Sequence, residues 1–529
     1  MSARIVCVCL LLAANAGLAA KPTPDHSHFV TSDHCIACHT NLRTASGDDV
    51  SIGFNWRATM MANSARDPYW HAGVRREVTD HPTAQAAIED KCSTCHMPMA
   101  RFDAAAAGRR GEVFANLPAA EHPLAADGVS CTVCHQITAE GLGQEESFDG
   151  GFRITTDAVQ RHVFGPYEVE PGKASVMRSA ADFTPGAGTH IQQSELCATC
   201  HTLYTAALND AGEQIGSLPE QVPYQEWLHS EFRQTRSCQS CHMPVVGADM
   251  PISAILGQPR PHFSQHTFRG GNSFMLGLLN KYRDELGVKA LSQELDTAIA
   301  ETKAYLGTQS ATLAIAGTKL TGARLDIDLA VGSLSGHKLP TAYPARRVWL
   351  HVVVTDERGS VLFESGAQRA DGAIVGNDND ADPTRFEPHY DEITSADQVQ
   401  IYESVMADQQ GKVTTGLLRG VRFIKDNRLL PRGFDKSTAS AEVAVHGEAE
   451  RDANFLAGGD HVRYRLDLGR KPAGAVRVSA ELMYQSIGYR WAENLRAYDA
   501  PETQRFVRYY SDSIAGTAVR LAHAAAEVR

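Results

Sequence analysis

Ten of the chain's twelve cysteines lie in five copies of one pentapeptide, and nothing else in the sequence constrains the fold as strongly. The copies are Cys35-x-x-Cys38-His39, Cys92-x-x-Cys95-His96, Cys131-x-x-Cys134-His135, Cys197-x-x-Cys200-His201 and Cys238-x-x-Cys241-His242. C-x-x-C-H is the attachment pattern of a c-type haem. The two sulfurs bond to the vinyl groups and the histidine ligates the iron from one side. Disulfides or zinc sites do not account for five identical triplets. The pattern predicts five covalently bound haem c groups, with ten cysteines as anchors and His39, His96, His135, His201 and His242 as iron ligands.

Successive motifs start 57, 39, 66 and 41 residues apart, and 208 residues span Cys35 to His242. That is too little protein to wrap each macrocycle in a core of its own. The haems themselves must form much of the interior, close enough together for electrons to hop between them. Short helices ending at the motifs and long loops are expected, in keeping with the turn signals Gly165-Pro166 and Pro185-Gly186. A helix over 55–78 should break near Asp67-Pro68. Met97-Pro98 and Met243-Pro244 should stop the helices that carry the second and fifth motifs.

Residues 1–20 read as a secretory signal peptide: Arg4, an apolar run over 5–12, then small residues over 13–20. Cys7 and Cys9 would leave with it. No later stretch is long and apolar enough to span a bilayer, so no transmembrane anchor is expected after cleavage. The expected location is periplasmic, with an extracellular or cell-surface position as the alternative. The net charge of −12 argues against nucleic acid or an anionic membrane and permits a basic redox partner protein.

The 287 residues after His242 contain no cysteine. Residues 281–309 read as a linking helix, with Tyr282, Leu286, Leu291, Leu295 and Ile299 on one stripe. Beyond 310, β-type runs cover 323–330, 347–355, 361–364, 399–406, 413–418, 441–445, 461–468 and 476–484. The expected fold class is α+β and multidomain. A mainly helical and loop pentahaem domain over 21–280 precedes an antiparallel β-sandwich over 310–529, which ends in a helix over 514–527.

The sixth iron ligand decides between transport and chemistry. A second histidine closes the iron, methionine raises its potential, and an open position admits substrate. Eleven histidines outside the motifs lie between residues 26 and 266. His162 precedes the Gly165-Pro166 turn, His190 shortly precedes Cys197, and His266 opens a glycine-containing segment. His122 is a weaker candidate. Met60 and Met61 offer thioethers, with Met61 the candidate ligand and core packing the favoured alternative. Alternating oxygen donors over 377–382 could take calcium, although Pro383 stands where an EF-hand loop needs glycine.

At these residues the chain resembles the multihaem cytochrome c superfamily that includes the tetrahaem cytochromes of nitrifying bacteria and hydroxylamine oxidoreductase. The resemblance covers roughly 30–275 and rests on the motif series, on 162–166, on His190 ahead of Cys197 and on 266–272. It implies distal ligation by His162, His190 and His266. The segment 336–344 looks like the start of a β-rich domain found after the haem region in some of these cytochromes, and His337 could reach back to a haem at the interface. No CxxCK motif occurs, and no tyrosine matches the haem crosslink of hydroxylamine oxidoreductase. The histidine supply favours electron transfer. The alternative is a multihaem oxidoreductase acting on a small nitrogen or sulfur compound at one open haem.

Overall fold

The computed structural model describes residues 27–157 and 160–529, so the signal segment 1–20 lies outside the described residues. Each motif forms a single helical turn. The histidine amide donates to the first cysteine carbonyl in His39→Cys35 (3.0 Å), His135→Cys131 (3.1 Å) and His201→Cys197 (2.9 Å). Residues i, i+3 and i+4 of a helix share one face, so this turn aims both sulfurs and the imidazole the same way. The motifs sit in or directly after the helices Asp33–Ile36, Gln85–His96, Cys131–Cys134, Ser194–Ala198 and Cys238–His242.

The expected break at Asp67-Pro68 is present. The Asp67 carboxylate caps helix Pro68–Asp80 by accepting from the amides of Tyr69 (2.8 Å) and Trp70 (3.2 Å). Directly before it lie helix Ile52–Arg57 and the turn Ser64–Arg66. Pro98 both ends the motif-bearing helix and opens Pro98–Ala106. Small sheets also occur in this region: a parallel pair, His162–Gly165 with Thr184–Ala187, and a hairpin, Leu203–Leu208 with Gln214–Gln221. Apolar packing here is split into small clusters, such as Phe29, Met99, Val133, Ile137, Phe152 and Ile154.

The single linking helix expected over 281–309 is two helices, Ser273–Lys281 and Ser292–Gln309. Gly287 lies between them at φ +62°, a left-handed conformation that a helix cannot absorb. The second helix starts where Glu294 accepts from the Leu291 amide at 3.0 Å.

Two sheets then pack face to face. One has the order Val361–Ser365, Arg347–Thr355, Val476–Gln485, Ala518–Val528, with Ile401–Tyr402 also paired to Arg347–Thr355. The other runs Glu392–Ile393, Gly459–Asp467, Arg324–Ser333, Ala311–Thr321. All these pairings are antiparallel except Glu392–Ile393 with Gly459–Asp467. Alternating side chains such as Leu325, Ile327, Leu329 and Val331 meet Val348, Leu350, Val352 and Val354 in a shared core. Each such side chain contributes roughly 1.5–3 kcal/mol when fully buried.

Three expectations for this half require correction. The segment expected as a C-terminal helix is strand Ala518–Val528, paired with Val476–Gln485 along its length. Its alanines favour a helix by propensity, but burial of Leu521 and the open sheet edge override that. The run at 441–445 is a helical turn, Ala441–Val443, rather than a strand. The division near 310 is also not a clean one. Helix Pro501–Ser511 packs on Pro68–Asp80, with Tyr69 and Phe506 rings 4.9 Å apart and an Arg75–Glu502 ion pair at 2.9 Å. One apolar cluster therefore joins residues from Ala58 to Tyr510.

The oxygen-rich segment at 377–382 forms a short helix, Asp378–Ala381. Asp380 receives both Arg347 guanidinium nitrogens at 2.8 and 2.9 Å, and Asp378 pairs with Arg385. These carboxylates are held by arginines rather than converging on one point, so the segment does not present the calcium loop its composition suggests.

Candidate cofactor site

One cavity of about 1990 Å³ runs through the region of the five motifs. All five motif histidines line it, together with Cys35, Cys38, Cys95, Cys131, Cys134, Cys197, Cys200, Cys238 and Cys241. Cys92 stands beside it and packs against the Val74–Ile88 cluster. None of these ten sulfurs is in a disulfide. Neighbouring motifs lie close through them: Cys35 is near Cys131, Cys95 near Cys200, and Cys197 near Cys238. Cys134 lies within electrostatic range of Cys200. The motifs are thus arranged first–third–fourth, with the second and fifth both against the fourth.

Metal-ligating imidazoles need one nitrogen free and the other held, because the held nitrogen fixes tautomer and ring orientation. His39 Nδ1 donates to the Ile252 carbonyl (2.6 Å), His96 Nδ1 to Ser64 (3.0 Å) and His135 Nδ1 to Phe164 (2.6 Å). His242 Nδ1 donates to the Arg269 carbonyl. Three of these holds run both ways. Phe164 N donates to His135 O (2.6 Å), Arg269 N to His242 O (2.9 Å) and Ser64 Oγ to His96 O (2.9 Å). Trp70 stacks flat on His96 at 4.3 Å. In each case Nε2 is left for the cavity.

Two histidines from elsewhere in the chain complete pairs. The His266 ring faces His135 with centroids 6.2 Å apart and planes 20° apart. The His337 ring faces His242 at 6.2 Å and 14°. Both use Nδ1 on a carbonyl, His266 on Ser264 (3.2 Å) and His337 on Lys338 (2.9 Å). Metal–imidazole bonds run to roughly 2 Å, and each ring centre lies about 1 Å behind its nitrogen, so a shared ion places the centroids about 6 Å apart. The observed spacing fits one iron between each pair. Burial pushes His266 down to about 3 and His96 and His201 down to about 4, and it also lowers His135, His242 and His337. All are therefore neutral at pH 7, the form that ligates.

The other candidates are placed differently. Met61, with Met60, lines the cavity. His162 begins strand His162–Gly165 and stacks on Phe164 at 6.5 Å, off the cavity wall. It is the backbone of this segment, at Phe164, that grips His135. His190 is buried, with Nε2 on the Ile137 carbonyl at 2.8 Å, and it too is off the wall. His122 stands at the N-cap position of the short helix Pro123–Ala126 without a side-chain capping bond, outside the cavity. Among the described residues, no histidine ring stands opposite His39, His96 or His201 at the spacing of the two pairs. The gripping carbonyls of Ile252, Ser64, Phe164 and Arg269 carry no sequence signature, since any residue supplies a carbonyl.

Outside this region, His389, Asp452 and Asp460 bring potential ligand atoms together. Asn427 Nδ2 (3.0 Å) and Gln400 Nε2 (2.9 Å) both donate to His389 Nδ1. The Asn427 amide is oriented by the Glu403 amide on its oxygen (2.9 Å). His389 Nε2 therefore carries the proton and donates to Asp452 at 3.0 Å. This is a closed hydrogen-bond network.

No protein-family model and no curated protein matches the chain. Among solved structures, it is similar to the crystal structure of a penta-heme cytochrome c552 from Thermochromatium tepidum. The likeness covers 95% of this chain and 99% of that one, at 18% identity and a TM-score of 0.54. It shows a shared fold.

Proposed function

We propose that this chain is an exported pentahaem c-type cytochrome that carries electrons between partner proteins. Bound haem iron would supply the one-electron chemistry. The chain's residues hold and orient it: ten motif cysteines anchor it, and His39, His96, His135, His201 and His242 ligate from one side. His266 and His337 close the irons at His135 and His242. The observation that carries this reading is the pair of parallel imidazole couples at 6.2 Å, each with its outer nitrogens fixed on carbonyls. Irons closed in this way are suited to transfer rather than turnover. The contacts between motifs support macrocycles close enough for hopping, with a branch at the fourth motif. The acidic chain suits a basic redox partner. No helix among the described residues is long and apolar enough to cross a membrane, and a periplasmic or cell-surface place follows from the signal reading.

A second reading, an oxidoreductase acting on a small nitrogen or sulfur compound, is favoured by the lack of a facing histidine at His39, His96 and His201. A carbon monoxide and cyanide titration of the mature chain separates the two. Electron transfer alone predicts five haems per chain, reversible reduction, no ligand uptake at the irons of His135 and His242, and no turnover of nitrite or hydroxylamine. Stoichiometric uptake, together with turnover of nitrite or hydroxylamine, would establish the second reading instead.

A further inference from the structure

His337 sits in a loop between strands Arg324–Ser333 and Arg347–Thr355, far in sequence from every motif. The loop is held by an unusual set of buried charges. Lys338 is fully buried, and its Nζ donates to Asp426 at 2.7 Å and to the Ala444 carbonyl at 3.2 Å. Its backbone amide donates to Glu226 Oε2 at 3.1 Å, and Thr341 Oγ1 donates to the same oxygen. Arg428 closes the ring, with 2.7 and 2.9 Å to Asp426 and 2.8 Å to Glu226. Leu339 and Leu429 exchange both backbone hydrogen bonds at 2.9 Å. Glu226 comes from helix Pro223–Leu228 of the haem region, and Asp426 from strand Arg422–Asp426 of the β region.

Two cations and two carboxylates, all at most 7% exposed, balance to zero charge. Apolar residues of equal volume would serve stability as well or better, so such a quartet is poorly explained as a source of stability alone. What it does supply is placement. It grips the residues on either side of Leu339 and Pro340, immediately after His337, from two elements at once. The His337 ring is then finished at Nδ1, which lies 2.9 Å from both the Lys338 carbonyl and the Ser335 hydroxyl.

We propose that Lys338, Asp426, Arg428 and Glu226 are positioning residues that set His337 against the iron at His242, so that the β region controls whether that haem is closed. This rests on the reading of His337 as an axial ligand. None of the four lines the cavity, whereas His337 does; the quartet acts through the loop. Disturbing it should open one haem and leave the other four as they were.

The test uses the mature five-haem chain and counts high-spin, cyanide-binding irons by magnetic circular dichroism. His337→Gly should give one such iron more than the unsubstituted chain, restored to low spin by added imidazole. Glu226→Gln should give the same single iron, also rescued by imidazole, with the haem count still five. If His337→Gly opens an iron and Glu226→Gln does not, the quartet is merely structural and the proposal is overturned. If His337→Gly itself changes no spin state, the ligand reading has failed instead, and the proposal with it. Should Glu226→Gln not mature, Thr341→Val carries the test, since it removes one hydrogen bond and keeps all four charges. Losing a hydrogen bond to a carboxylate corresponds to about a tenfold effect. About tenfold tighter cyanide binding at one haem supports the proposal, and unchanged binding contradicts it.

Discussion

Glu220 is a residue whose titration the structure makes legible. It lies buried on strand Gln214–Gln221, with Thr205 donating to its carboxylate. Desolvation first, and the nearby Glu77 second, raise it to about 7, against the hydrogen bond from Thr205. A carboxylate with a raised folded value binds its proton more tightly when folded. Stability should therefore be greatest below the unfolded value and fall as pH rises toward 7, by roughly 2–4 kcal/mol. Thermal melts of the mature chain between pH 4.5 and 8 check this, and Glu220→Gln should flatten that slope. An unchanged slope in the variant would assign the pH dependence to other groups. At the same scale, the sequence reveals chemistry better than direction. The motif turns were readable because i, i+3 and i+4 share a face. His266 and His337 were readable as candidates, and the structure sets both opposite motif histidines. His162 and His190 looked equally well placed, yet nearness to a motif along the chain does not say which way a ring points. His190 spends its Nε2 on the Ile137 carbonyl.

Among the elements, helix Pro501–Ser511 is the one that most changes the domain picture. Phe506 is fully buried against Tyr69 and Tyr510. Phe506→Ala should cost roughly 3–5 kcal/mol, the usual range for emptying such a site. Because the helix belongs to the core beneath Pro68–Asp80, calorimetry should show the haem-region transition moving down with the rest. A haem region that melts unchanged would restore an independent β domain. The alternating strands of the sandwich were legible because burial repeats every second residue. The alanine-rich 518–528 was not, since its strand state comes from a partner strand some 40 residues earlier in sequence. The ion pair within the acidic 377–382 segment was not legible for a similar reason: Arg347, which takes up Asp380, lies 33 residues away.

For the whole molecule, the account rests on two irons closed by histidines from distant parts of the chain. His135 and His266 are separated by 131 residues, and His242 and His337 by 95. Low-spin electron paramagnetic resonance of the mature oxidised chain tests this most directly, because imidazole planes only 20° and 14° apart give rhombic signals. The account predicts two such signals, one removed by His266→Ala and the other by His337→Ala, each replaced by one high-spin iron. Retention of both signals in both variants would contradict it.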